Sequence, residues 1–157
     1  MKKILFVDEM IWRFAMNPEE VFQKISFQLL LLIHKKCNPI ISYPDFHTRI
    51  YRKINPLTQV FADELLKTNQ EYLLVIYRSL LQNYEKIVNK DLLSAPQVNN
   101  DQIIPRKDLD NFRIANNARV DLFITEDEKL SDAIKELKLK GIIQMDAVNT
   151  VEAINLI

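Results

Sequence analysis

The sequence predicts an α/β fold, a three-layer sandwich in which a central, mostly parallel sheet of four to five strands lies between helices. Short continuous apolar runs, typical of strands buried on both faces, alternate along the chain with apolar residues at helical spacing. Strands separated by helices favour parallel pairing through right-handed crossovers. The length of 157 residues, 48% of them hydrophobic, suits a single domain over residues 1–157.

The first half of the chain combines two strand patterns with several helix patterns. Ile4–Val7 is a continuous apolar run that predicts the first strand. Asn17 and Pro18 are the residue types of a helix N-cap and first position, and this helix is expected to end at Lys36. The other predicted elements are a short helix at 11–15, a strand at 40–43, a helix from Pro44 and a long helical stretch over 57–88.

The second half begins with a polar segment, residues 91–107, that predicts a long loop. A helix over 108–118 and a strand over 122–124 follow. The next helix, around 130–137, is expected to end at Gly141 in a left-handed C-terminal cap. Ile142 and Ile143 predict the fourth strand, and Thr150 is expected to open a last short helix.

The composition excludes several functional classes. A single Gly rules out glycine-rich phosphate loops, and therefore Rossmann dehydrogenases and P-loop NTPases. One Cys excludes an internal disulfide framework and a Cys-rich zinc site. The formal net charge of zero removes any general attraction to phosphate, so an anion-binding surface would have to be local. No targeting or membrane-spanning segment is recognisable, which predicts a cytoplasmic protein with no membrane association.

Carboxylates follow two of the predicted strands. Asp8 comes directly after the first strand, and Asp127 follows the strand at 122–124. If these strands are neighbours, both acids meet at the carboxyl edge of the sheet, where α/β proteins bind ligands, and Asp110 faces the same edge. Clustered carboxylates repel one another unless a cation such as Mg²⁺ or Mn²⁺ neutralises them. The alternative is that each acid only caps a helix.

Three segments resemble the PIN-domain nucleases, a family that includes many type II toxins. Ile4–Asp8 is similar to the family's apolar first strand and first acid. Asp108–Ala118 is similar to its D-x-D-N segment and alanine-bearing helix. Val120–Leu130 resembles the stretch in which the family's last strand-end acid follows a threonine. The resemblance spans nearly the whole chain by order of elements, and it is most specific in the C-terminal third.

The resemblance implies a Mg²⁺- or Mn²⁺-dependent ribonuclease with Asp8, Asp110 and Asp127 as catalytic, metal-binding acids. Thr125 would support the site through its hydroxyl. The family's fourth acid, a Glu, is absent where Thr48 stands, with Asp45 and His47 as the nearest candidates to replace it. The family's usual Asn two residues after the first acid is replaced by Met10.

Basic residues lie close to these acids in the sequence. Arg49, Arg106 and Lys107 are candidate contacts for RNA phosphates, although the alternative is an ordinary solvated charged face. The 57–88 stretch offers an apolar stripe for the core, for a homodimer or for an antitoxin-like partner helix. Because one expected acid is missing, the alternative function is a catalytically degenerate PIN-like module that binds RNA or a protein. A receiver-like signalling domain is the third and weakest alternative.

Overall fold

In a computed structural model, which describes residues 1–17, 21–41 and 95–157, four strands form one parallel sheet. The strands are β1 (Leu5–Val7), β2 (Ile40–Ile41), β3 (Leu122–Ile124) and β4 (Asp146–Val148). Their order in the sheet is β2-β1-β3-β4, so each connection from one strand to its neighbour crosses over. The predicted α/β class and parallel sheet are therefore confirmed, and β1 and β3 are neighbours, as the site prediction requires.

The described residues also contain five α-helices and two short 3-10 turns. The helices are α1 (Glu9–Met16), α2 (Gln23–Lys36), α3 (Leu109–Asn117), α4 (Glu128–Leu139) and α5 (Thr150–Leu156). The 3-10 turns, Asp101–Ile103 and Arg106–Asp108, occupy part of the segment for which the sequence predicts a loop. No helix in the described ranges is long and apolar enough to cross a membrane.

The two central strands form the middle of the core. Every residue of β1 and β3 is buried, which explains why both read as continuous apolar runs rather than alternating patterns. The rings of Phe6 and Phe123 stack across the strand pair with centroids 4.7 Å apart. Trp12 of α1 and Phe112 of α3 are fully buried. This packing fixes the positions of the carboxyl ends of β1 and β3 relative to each other.

The fourth strand lies later in the chain than the sequence predicts. β4 begins at Asp146, whereas the predicted strand at Ile142 and Ile143 is a bend and an irregular segment. Gly141, at φ 73°, ends α4, and the N–H of Ile142 then donates to the carbonyl of Leu137. Ile143 is buried in the core without pairing in the sheet. The apolar pair was mistaken for a strand because residues that pack after a helix cap are also apolar.

The described part of α2 begins at Gln23, later than the Asn17-Pro18 signal predicts, and residues 18–20 lie outside the description. Its C-terminus agrees with the prediction, because the helix ends at Lys36 and Cys37 adopts a left-handed conformation. The second strand is described only at Ile40–Ile41. The predicted helices from Pro44 and over 57–88 lie outside the described residues.

Candidate functional site

Asp8 and Asp127 meet at the carboxyl edge of the sheet, linked through Thr125. The register pairs Val7 of β1 with Ile124 of β3, and the Asp8 N–H donates to the Ile124 carbonyl at 2.9 Å. The residues that follow the two strands therefore emerge side by side. The Thr125 hydroxyl donates to Asp8 Oδ2 at 2.7 Å and accepts from the Asp127 N–H at 3.1 Å. Sequence reasoning placed all three residues at this edge, and the structure brings them together.

Asp8 occupies the N-cap position of α1, yet its side chain makes no capping hydrogen bond there. It turns instead toward Thr125, and its side chain is almost entirely buried. Burial raises the pKa of Asp8, and the charges of Glu9 and Asp127 act in the same direction, while hydrogen bonds from Thr125 and from the Glu9 backbone oppose them. Helix capping alone therefore does not explain Asp8.

The two carboxylate oxygens of Asp127 have different partners, and only one of them caps a helix. Its Oδ1 accepts from the Leu130 N–H at 3.2 Å, which caps the N-terminus of α4. Its Oδ2 lies 3.4 Å from the Lys107 ammonium. The capping interpretation is thus confirmed for one oxygen, and the other faces the candidate site.

Asp108, the first acid of the D-x-D segment, lies near enough to Asp8 and Asp127 for their charges to act on it. Burial raises the pKa of Asp108 to about 6, with the negative charges of Asp8 and Asp127 adding to the effect and Lys107 opposing it. Its Oδ2 is buried and has no hydrogen-bond partner among the described residues. A buried carboxylate oxygen with no donor is costly, and it is the kind of atom that a cation would satisfy.

Asp110 lies one helical half-turn further on, in the first turn of α3, and is exposed. Its charge acts on the Arg113 guanidinium, whose pKa it helps to raise. The family resemblance implies Asp110 as the third acid and does not point to Asp108. Burial distinguishes the two, because Asp108 is partly buried and Asp110 is exposed.

The segment that carries Lys107 and Asp108 is anchored by a buried ion pair. Asp101, only 2% exposed, accepts from the Arg113 guanidinium at 2.8 Å and from the Val98 N–H at 2.9 Å. The bond from Arg113 holds the pKa of Asp101 below its usual range. Because Arg113 belongs to α3, this pair ties the 98–108 segment to the helix that follows it.

Of the residues predicted to contact phosphate, two are described by the structure and one is not. Lys107 is mostly exposed and pairs with Asp127, and Arg106 is exposed in the same 3-10 turn. Arg49, together with Asp45, His47 and Thr48, lies outside the described residues. Beside Asp127, an open depression of about 280 Å³ is lined mostly by acidic and polar residues of α4 and α5, with Lys135 as its cation.

No family model matches the chain, and neither the curated proteins nor the solved structures contain a match. Within the described ranges, no group of three or more His, Cys, Asp or Glu side chains is arranged to hold a metal ion. The charges of Asp8 and Asp127 nevertheless act on Asp108, whose unpartnered oxygen fits a cation.

Replacing Thr125 with Val is expected to lower the free energy of unfolding by about 1–2 kcal/mol, because it leaves Asp8 Oδ2 and the Asp127 N–H without their shared partner. Thr125→Ser keeps the hydroxyl and is the matched control. Urea denaturation of both variants measures the difference. Equal stability of the Val and Ser variants would contradict the linking role of the hydroxyl.

Proposed function

We propose that this protein is a Mg²⁺- or Mn²⁺-dependent ribonuclease of the PIN type. The observation that carries the proposal is the link between Asp8 and Asp127 through Thr125 at the carboxyl edge of β1 and β3. Asp108, with a buried and unpartnered oxygen, lies near enough for the charges of both acids to act on it. The resemblance in the sequence supports the same conclusion, with Asp108 in place of Asp110 as the third acid of the central group.

The three carboxylates of Asp8, Asp108 and Asp127 are the residues that would hold the metal. Hard divalent cations prefer such oxygen ligands. When bound, the metal supplies an activated water and neutralises the charge that develops on a phosphodiester. Burial raises the pKa values of Asp8 and Asp108, and neighbouring negative charges add to the effect. A bound cation would act in the opposite direction.

The remaining residues position these acids and the substrate. Thr125 holds Asp8 Oδ2 and the Asp127 backbone in one hydrogen-bonded unit, so that the two strand-end carboxylates keep their separation. The core beneath them, with Phe6 stacked on Phe123, keeps this edge rigid. Arg106 and Lys107 contribute positive charge next to the acids, which suits contacts to RNA phosphates that do not read sequence.

The test is cleavage of a mixed RNA pool in the presence of Mn²⁺ or Mg²⁺ by the wild type and by Asp127→Asn. Asn is also a good helix N-cap, so the variant removes the charge and keeps the start of α4. We expect metal-dependent cleavage by the wild type and its loss in the variant. Equal rates in both proteins, or no cleavage by either with any divalent metal, would refute the nuclease proposal.

A catalytically degenerate PIN-like module that binds RNA or a protein is the second candidate. It is favoured by the Lys107–Asp127 ion pair, which already satisfies part of the acidic group without a metal. RNA binding without cleavage, measured by filter binding in the same RNA pool, would support it. An antitoxin-like partner or a homodimer through the 57–88 stretch, and a cytoplasmic location, are further proposals, and that stretch lies outside the described residues.

A further inference from the structure

Lys107 stands where a cation bound by the acidic group would compete with it. Its ammonium lies 3.4 Å from Asp127 Oδ2, and Asp127 Oδ1 is already committed to the Leu130 N–H. Oδ2 is therefore the oxygen of Asp127 that remains to bind a metal. The positive charge of Lys107 also acts on Asp108, which follows it directly in the chain. One lysine thus serves as counter-ion to two of the three carboxylates.

We propose that Lys107 is a tethered counter-ion that leaves Asp127 when a divalent cation binds. The inference rests on the proposed function, because it assumes that the acidic group takes a metal. Lys107 and a cation would compete for the negative charge of the same oxygen, so each weakens the binding of the other. Lys107 keeps the apo site partly neutral, and its departure frees Asp127 Oδ2.

The side chain of Lys107 is suited to this exchange. It is 73% exposed, so water receives the ammonium when it leaves, and few packing contacts hold it in place. Ion pairs with one exposed partner are worth less than about 1 kcal/mol, so displacement by a divalent cation costs little. Its backbone, by contrast, is held in the 3-10 turn Arg106–Asp108, whose preceding segment is anchored by Asp101 and Arg113. The displaced ammonium therefore stays near the site.

The consequence is a link between metal binding and phosphate contact. In the metal-free protein the Lys107 ammonium is paired with Asp127. After a cation binds, the same charge becomes available at the rim of the site, on the side where Arg106 also lies. The acidic depression that Asp127 helps to line offers no comparable attraction for RNA.

The test is Mn²⁺ binding to the metal-free protein, measured by isothermal titration calorimetry without RNA. Lys107→Met is expected to bind Mn²⁺ about two- to fivefold more tightly than the wild type, which corresponds to the loss of a weak competing ion pair. Arg106→Met removes the same charge from the neighbouring, exposed position and is expected to bind like the wild type within about twofold. Lys107→Gln repeats the measurement with a polar side chain.

The outcomes separate this inference from the proposed function. Tighter binding by the Lys107 variants alone supports the tethered counter-ion. Equal Mn²⁺ affinity of the wild type and both Lys107 variants overturns the counter-ion inference and does not affect the proposed metal site. Equally tighter binding by Arg106→Met also overturns it, because the effect would then come from net charge alone. Absence of Mn²⁺ binding in every protein overturns both proposals.

Discussion

Asp108→Asn is expected to lower the rate of Mn²⁺-dependent RNA cleavage at least about a hundredfold, whereas Asp110→Asn leaves it within about threefold. The two acids are two positions apart, have the same side chain, and flank Leu109 at the start of α3. Only Asp108 is partly buried, with an unpartnered oxygen and with its charge opposed by Asp8 and Asp127. Asn at position 108 keeps the shape of the side chain and removes its negative charge.

Asp108→Asn and Asp110→Asn form a matched pair of substitutions. Both substitutions change the net charge by the same amount, so a difference between them cannot come from general electrostatics. Single-turnover cleavage at saturating Mn²⁺, together with thermal denaturation to confirm folding, measures it. If Asp110→Asn is the inactive variant and Asp108→Asn the active one, the third acid is the one that the resemblance indicated, and the geometric assignment is wrong.

The second large effect concerns the dependence of stability on pH. Asp108 has a pKa of about 6 in the folded chain and an ordinary value of 3.8. Between these values the folded state binds more protons than the unfolded state, so the free energy of unfolding falls as pH rises. We expect the metal-free wild type to lose about 1–3 kcal/mol from this group between about pH 4 and pH 6, and little more from it above that range.

Asp108→Asn removes this group and is expected to make the fall in stability between about pH 4 and pH 6 smaller. Asp8, whose pKa burial also raises, keeps a fall of the same sign. At pH 8 the variant should be more stable than the wild type by about 1–3 kcal/mol, because it no longer keeps a partly buried charge beside two others. Asp101 gives the free energy of unfolding a pH dependence of opposite sign, because the pKa of Asp101 is lowered in the folded chain. That contribution lies at pH values below its ordinary pKa of 3.8. Asp110→Asn is the control.

Urea denaturation at several pH values, with a chelator present, measures these profiles. The predicted result is a stabilised but inactive Asp108→Asn protein, which is the combination expected when a residue serves binding at the expense of stability. Parallel profiles for the wild type and Asp108→Asn would show that position 108 carries no buried charge. A steeper fall in stability with pH for Asp108→Asn than for the wild type would contradict the predicted sign of the Asp108 contribution.

Local patterns in the sequence were enough for most of the described fold. The continuous apolar runs at β1 and β3 identify strands buried on both faces, because only such strands lack an exposed, polar side. The acid that follows each run then places Asp8 and Asp127 at the carboxyl edge of the sheet. The end of α2 before Asn38-Pro39 and the end of α4 before Gly141 were also readable, since both depend on local backbone preferences.

The position of the fourth strand depended on contacts between distant parts of the chain. Ile142 and Ile143 have the residue types of a strand, yet Asp146–Val148 pairs with β3, because pairing depends on which segment reaches the sheet edge after the helix cap. Apolar character alone does not distinguish a strand from a residue that packs without pairing.

The sequence by itself determined that this protein is an α/β fold with an acid after each of two strands, because strand burial and strand-end residues are local properties. That these strands, β1 and β3, are neighbours was decided by the tertiary structure. Only the tertiary structure decided that Asp108, and not Asp110, is partly buried, and that Lys107 pairs with Asp127. The reason is physical: which of two nearby carboxylates becomes buried depends on how the 98–108 segment packs, and the Asp101–Arg113 pair anchors that segment to α3.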